Sequence, residues 1–530
     1  MIGDSGNLAR LQMIDLSGQQ LTPDERAFLS ERRPGGVCLF GRNVADRFQV
    51  AELVAELRSL AGPDLLVAAD QEGGGVIRLS DLPYPPGAMA LGAADDPLLT
   101  RQVAAATGRG LRALGINVDF APVADVNSNP ANPVIADRSF GADPEHVARH
   151  VVAFVHGLQE TGVAATVKHF PGHGDVARDS HLELQTLARS AQMLERLELP
   201  PFLAAIATGV AAVMSAHIVL SAIDPEAPAT LSAPVLTGLL RDRLGFSGVV
   251  FTDALDMRAV AANWGAAEAS VRALAAGADM PVHVGPVREH EEVASGLERA
   301  LAEGRLDGAA LAASSERLAR LSNAYPARPD VGSAWRDGDD RLLDEAARRS
   351  LLLLGRLPRM VPGSRVLLVA AEAVRQSAAT QATVRPAGYL AEALREQGVT
   401  VEELEYSPAD ALAVAQQARA AARGCDVVIF ASSSRTALTA DERELGRRVA
   451  ASAGTVGNET EGVKPPNAAT AGFVHVALWN PYSVAELPGP ALVSFGWRER
   501  SARAVASALT GGPVTGRAPV PLRTFDDIER

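Results

Sequence analysis

Residues 35–70 read GGVCLFGRNVADRFQVAELVAELRSLAGPDLLVAAD. An apolar run at 35–40 is followed by a helical segment at 45–60, in which Val50, Leu53, Val54 and Leu57 share one face. A second apolar run, 65–69, then ends in Asp70. Neither run alternates with polar residues, so both read as strands buried on two sides, the kind that pair in parallel sheets between helices. The unit recurs. Strands are predicted at 117–126, 164–167, 212–218, 248–252 and 279–284. Between them, helices are predicted at 144–158 and at 234–244, the latter starting from Ser232. This repetition over some three hundred residues predicts an α/β fold, a closed (β/α)8 barrel of the TIM type.

At 323–340 the pattern breaks into NAYPARPDVGSAWRDGDD, a linker composition. The expected organisation is a barrel at 1–325, a linker at 326–341 and a smaller α/β sandwich domain at 342–530. In the latter a helix is predicted at 342–354, strands at 365–371, 425–431, 474–479 and 491–495, and an irregular loop at 451–472.

Composition narrows the function classes. The chain has 530 residues, 47% hydrophobic and 21% charged, an ordinary globular balance that excludes a disordered chain, a collagen-like fibre and a coiled coil. The net charge of -13 is spread thinly without a basic stripe, and aromatic residues are only 4%, so no nucleic-acid partner is expected. Cys38 and Cys425 fit neither a disulfide framework nor a zinc pattern and suit a reducing compartment. The start MIGDSGNLARLQMIDLSG lacks the basic-then-apolar pattern of a signal peptide. The uncharged stretch 204–223 contains Thr208, Ser215, His217 and Ser221, a poor membrane span. A soluble, cytoplasmic protein with no membrane partner is expected. Of 50 basic residues only Lys168 and Lys464 are lysine. A lysine kept against that bias points to a need for a compact ammonium.

In a strand–helix barrel the chemistry sits where strands run out. Asp70 follows the strand at 65–69, Lys168 and His169 follow the one at 164–167, Asp253 follows the one at 248–252, and Asp137 and Arg138 lie in the loop after 117–126. The densest segment, KHFPGHGDVARDSH at 168–181, holds three of the ten histidines. As metal ligands, His169, His173, Asp179 and His181 would suffer from Pro171, Gly172 and Gly174, which break helical spacing, and from the adjacent Lys168 cation, so no metal is expected. His173 between two glycines reads as a residue that fixes the loop. Asp179 and His181, at i and i+2, can pair so that the carboxylate orients the imidazole as a proton donor and acceptor. An isolated strand-end aspartate such as Asp253 reads as a cap for the following turn, and Asp256 reads the same way.

KHFPGHGD followed by DSH, with ADQEGG, APVADV, ADRSF and FTDALDM in this order, resembles glycoside hydrolase family 3, and within it the β-N-acetylglucosaminidase branch. The resemblance covers residues 35–321, and the second domain is similar to the α/β sandwich that many members append. It implies a retaining hydrolysis in which Asp253 is the nucleophile and His181, oriented by Asp179, is the acid/base in place of the usual second carboxylate. It further implies that Asp70, Arg78, Arg138, Lys168 and His169 hold the sugar, that no metal or organic cofactor takes part, and that the partner is a small-molecule carbohydrate bound by a monomer or homodimer. The family's EGGRVxR reads here EGGGVIR, with Gly75 in place of the first arginine. An imidazole does not repel anions as a carboxylate does, so a phosphorylase using the same residues is a second reading. A catalytically silent sugar-binding protein is a third.

Overall fold

The computed structural model describes residues 7–176, 184–372, 374–375, 383–453 and 471–529. The chain folds into two compact units, one running to Pro85 and resuming at Asp96–Asp340, the other made of Pro86–Asp95 and Arg341–Arg530.

The first unit is the barrel. Its strands are β1 (Met13–Ile14), β2 (Gly36–Leu39), β3 (Leu66–Ala69), β4 (Val118–Asp119), β5 (Ala164–Phe170), β6 (Ala212–Ser215), β7 (Val249–Ala254) and β8 (Met280–His283). They close in chain order, all parallel, with Met13 of β1 paired to Val282 of β8, so no edge is left open. The uninterrupted apolar runs are explained by burial on both faces. Cys38, Ala68, Val118, Ala164, Met214 and Phe251 meet in one cluster drawn from around the barrel. The intervening Val37, Leu39, Val67 and Ala69 pack outward on Val50, Leu53, Val54 and Leu57 of the helix Arg47–Ala61. That helix starts where the Asp46 carboxylate accepts the amides of Phe48 and Gln49, and it stops at Gly62, whose φ of 118° suits glycine.

Below the strands, at the start of β8, the buried Asp279 carboxylate accepts from Arg241, Arg317, Ser314 and the Val250 amide. It ties two helices to the closed end, where a barrel keeps its stabilising contacts.

β1 is not among the predicted strands, and among those predicted in the barrel the differences lie at the ends. Of 117–126 only Val118–Asp119 is a strand, after which the chain stays close to β5, with the Ala124 amide donating to the Lys168 carbonyl at 2.6 Å. β5 itself runs on through Lys168, His169 and Phe170. The run at 212–218 divides: β6 ends at Ser215, and Ile218–Leu220 joins Gln185–Leu187 and Asp224–Pro228 in a separate three-stranded sheet.

The second unit is an α/β sandwich. Its sheet has β9 (Leu352–Leu354), β10 (Arg365–Ala371), β11 (Thr400–Tyr406), β12 (Val427–Ser432), β13 (Gly472–Ala477) and β14 (Ala491–Val493), in the order β9-β14-β13-β12-β10-β11. Only β9 is antiparallel to its neighbour. Along β10 the faces alternate: Val366, Leu368 and Ala370 pack toward the helices Pro386–Glu396 and Glu499–Leu509, while Leu367, Val369 and Ala371 pack toward Ala415–Ala422 and Ala440–Ala453. The helix expected at 342–354 ends at Arg349, and its last three residues form β9. Among the described residues, no helix is long and apolar enough to cross a membrane.

Candidate active site

Loops after β3 and β4 and the last residues of β5 bring one charged cluster to the C-terminal mouth of the barrel. At its centre Lys168 is 2% exposed, with its ammonium 2.8 Å from Asp70 Oδ1 and 2.5 Å from Glu72 Oε1. Arg138 holds Glu72 in a fork, Nε to Oε2 and Nη2 to Oε1, both at 2.8 Å, and its Nη2 lies 3.3 Å from His169 Nε2. Arg78 donates to the other oxygen of Asp70 at 3.1 Å. His169 Nδ1 lies 2.7 Å from Asp125 Oδ2. The other Asp125 oxygen accepts the amides of His169 and His173. The carboxylate therefore fixes the His169 ring and the start of the loop beyond it.

Local sequence explains each placement. The pairing of β5 with β6 shifts register between Val167 and Phe170, a local irregularity within the strand at Lys168 and His169. Arg138 ends a short 3-10 turn, Ala136–Arg138, and Asn132 accepts the amides of Val134 and Ile135 just ahead of it. The glycine-rich loop after Asp70 is tied by Gln71, whose Oε1 accepts the amides of Arg78 and Leu79 and whose Nε2 donates to the Leu79 carbonyl. The turn at Gly75 is closed by reciprocal bonds between Gly73 and Val76. The loop around Asp70 is thus ordered with Gly75 in it.

The cluster is ionised. Burial raises the carboxyls of Asp70 and Glu72, but Lys168 with Arg78, and Arg138 with Lys168, outweigh it and hold both below their ordinary values. Burial likewise works against the Lys168 ammonium, and the two carboxylates together lift it above the ordinary lysine value. Asp119, at the end of β4, goes the other way: burial pushes it up to about 8, and it stays a neutral acid whose Oδ1 accepts the Gln71 amide. Burial takes His173 down to about 4, so that ring is neutral. A sugar hydroxyl both donates and accepts, and fixed ionised partners give it the stronger bonds.

Asp253 lies at the end of β7, where the pairing with β8 shifts register between Phe251 and Ala254. It is half-buried, and its Oδ1 accepts the Ala254 amide at 2.8 Å. His217 Nε2 lies 2.9 Å from the Ala254 carbonyl, and the Leu255 amide donates to the Val282 carbonyl, so the turn carrying Asp253 is held by the segment that follows β6 and by β8. In a closed parallel barrel the ends of β3, β5 and β7 open on one face.

Residues 6–321 match the N-terminal domain of glycosyl hydrolase family 3. The chain belongs to that family. It is a glycoside hydrolase, and its expected barrel and sandwich are the architecture observed. It is 39% identical over 337 residues to a β-hexosaminidase of Methylococcus capsulatus, covering 62% of this chain and 98% of that one. It is 40% identical over 276 residues to a β-hexosaminidase of Nitrosomonas eutropha, covering 51% and 78%. Among solved structures it resembles a family 3 β-N-acetylglucosaminidase from Paenibacillus sp. FPU-7, with a TM-score of 0.88, 34% identity, and 97% and 98% of the two chains covered.

Of the residues singled out in the sequence, Asp70, Arg78, Arg138, Lys168 and His169 come together in one cluster, and Asp253 ends its own strand. Asp179 and His181 lie outside the described residues. Sequence reasoning did not assign Glu72, the carboxylate that joins Lys168 to Arg138, or Asp125, which orients His169. Their positions in ADQEGG and APVADV, just beyond strand ends, were the available signal.

Proposed function

We propose that this glycoside hydrolase is an exo-acting, retaining β-N-acetylglucosaminidase. Asp253 attacks the anomeric carbon while His181 gives its proton to the leaving oxygen, which forms a covalent glycosyl-aspartate. His181 then takes a proton from water, and that water displaces Asp253 with net retention. Asp179 orients the imidazole. Asp70, Arg78, Arg138, Lys168 and His169 bind the terminal sugar. The observation that carries this reading is a strand-end carboxylate, Asp253, on the barrel face that also presents the ionised cluster around Lys168. The β-hexosaminidase relatives and the Paenibacillus neighbour support N-acetylglucosamine as the sugar. Terminal residues of cell-wall-derived or similar oligosaccharides are the substrate class, and the cytoplasm of a monomer- or homodimer-forming enzyme is the place of reaction.

Turnover of nitrophenyl β-N-acetylglucosaminide and β-glucoside, with and without phosphate, tests the proposal. Free N-acetylglucosamine at a phosphate-independent rate is the expected result. Sugar 1-phosphate appearing only with phosphate would make the enzyme a phosphorylase, and binding without turnover would make it a sugar-binding protein. The acid role of His181 is tested separately by His181→Ala. Hydrolysis of a disaccharide should fall about a hundredfold, because proton transfer contributes that much, while a dinitrophenyl leaving group should lose only a few-fold. Equal losses on both substrates would remove His181 from the acid role.

A further inference from the structure

Glu198 lies just ahead of the helix Leu199–Ala207 and is fully buried, and among the described residues neither carboxyl oxygen has a hydrogen-bond partner. It is packed against the loop that leaves β5. A side chain at Gly172 would come within 2.5 Å of Glu198 Oε2, and Gly172 has a φ of 131°. The glycine leaves room for the carboxyl. Among the described residues, the charged groups that act on it are Asp125 after β4, Asp175 after β5, and Arg189. Arg189 Nε is 3.9 Å from Glu198 Oε1 but 2.6 Å from Asp175 Oδ2, and its Nη2 donates to Ser128 at 3.1 Å.

The Arg189–Asp175 pair joins the two flanks of residues 177–183, the segment that holds Asp179 and His181. On the leading side, Asn132 donates to the His173 carbonyl and Asn129 to the Asp175 carbonyl. Among the described residues, Arg189 ties that flank to the returning chain. A buried carboxylate in its reach would compete for the same guanidinium.

We propose that Glu198 is a positioning residue for the acid/base: as the neutral acid it leaves Arg189 to Asp175, and as the carboxylate it draws Arg189 away and loosens the tie between the two flanks. The inference rests on His181 as acid/base. Burial, with Asp125 next, pushes the Glu198 carboxyl up to about 8, which sets the pH at which the exchange occurs. The reaction then has an alkaline limb governed by a residue that does not touch the substrate. A residue acting only through Arg189 should affect kcat on poor leaving groups, which need the proton, and leave KM and activated substrates nearly unchanged.

The test is the pH profile of kcat from pH 5 to 9.5 on a disaccharide and on a dinitrophenyl glycoside, for wild type, Glu198→Gln and Glu198→Leu. Both variants are expected to stay within about twofold of wild type at pH 6, where Glu198 already carries its proton. Above pH 8 the wild-type disaccharide rate should fall at least fivefold below theirs. Identical alkaline limbs in all three proteins would overturn the proposal. So would variants that fail to fold, because a neutral acid without partners is replaceable by an amide or a leucine of similar size.

A readout independent of turnover separates this inference from the proposed function. A carboxyl whose folded pKa is raised binds its proton more tightly in the folded state, so its stability contribution falls as pH rises from about 4.5 to about 8. The melting temperature of Glu198→Gln relative to wild type should therefore climb between pH 5 and pH 8. That climb in a chain that does not cleave N-acetylglucosaminides would uphold the protonation of Glu198 and reject the proposed function. A flat difference would reject Glu198.

Discussion

Asp253→Asn is expected to lower kcat on N-acetylglucosaminides by at least about a thousandfold, roughly 4 kcal/mol of transition-state stabilisation, with the fold unchanged. The fold is expected to survive because the Ala254 amide needs an acceptor there and not a charge. The Ala254 amide finds an equivalent acceptor in the asparagine oxygen, the Ala254 carbonyl keeps His217, and Leu255 keeps Val282. Chemistry does not survive, since an amide oxygen is a poor nucleophile and the covalent intermediate is lost. Intact-protein mass spectrometry with a slow-turnover fluoroglycoside should show a glycosyl adduct on the wild type and none on the variant. In Asp253→Ala, azide should restore part of the rate and give the inverted glycosyl azide, because it attacks once from the vacated side. A variant within tenfold of wild type would show that Asp253 caps its turn and does nothing more.

The sequence spoke clearly where burial was two-sided and fell silent where it was short or one-sided. β2, β3, β7 and β10 were legible because both faces of each are packed, which leaves an apolar run without alternation. β1 is only Met13–Ile14, too short to stand out from LARLQMIDLSG, although it closes the barrel. β11, TVEELEY, lies at the sheet edge with most of its acidic side chains exposed, a pattern that no apolar count finds. β9 was absorbed into a helix because ARRSLLLL continues a helical period, while its pairing with β14 can be seen only in three dimensions.

The candidate site divides in the same way. Strand-end position and the family resemblance pointed to Lys168, His169, Asp70, Arg78, Arg138 and Asp253. The groups that fix those side chains were not assigned, because a buried carboxylate such as Glu72, Asp125 or Glu198 looks in sequence like any other acid near a loop. What distinguishes Glu72 from Glu198 is the company each keeps after folding. The first has a lysine and an arginine within hydrogen-bond distance, and the second has an arginine already committed elsewhere.

Lys168→Met should lower kcat/KM about a thousandfold and destabilise the protein by about 3–5 kcal/mol, the usual result of removing one member of a buried ion pair. The loss has two sources. Asp70 and Glu72 would face each other without the ammonium between them, so one would take up a proton and the ionised cluster proposed to bind the sugar would be broken. The sign of the pH dependence follows from the shifts. The carboxyls of Asp70 and Glu72 are lowered in the folded state, so their contribution is present above about pH 4.5 and is lost as pH falls through their folded values. Lys168 is raised, so its contribution is present below about pH 10.5 and is lost as pH rises beyond that. Urea unfolding should therefore show the largest gap between wild type and variant from pH 5 to pH 10, narrowing toward pH 3. Lys168→Arg sharpens the question, because the chain otherwise uses arginine for 48 of its 50 cations. A planar guanidinium cannot sit as a point charge between Asp70 and Glu72 in a space already bordered by Arg138 and Arg78, so a loss of about a hundredfold is expected. Wild-type activity in Lys168→Arg would mean that the site needs only a positive charge there, and that the retained lysine is an accident of composition.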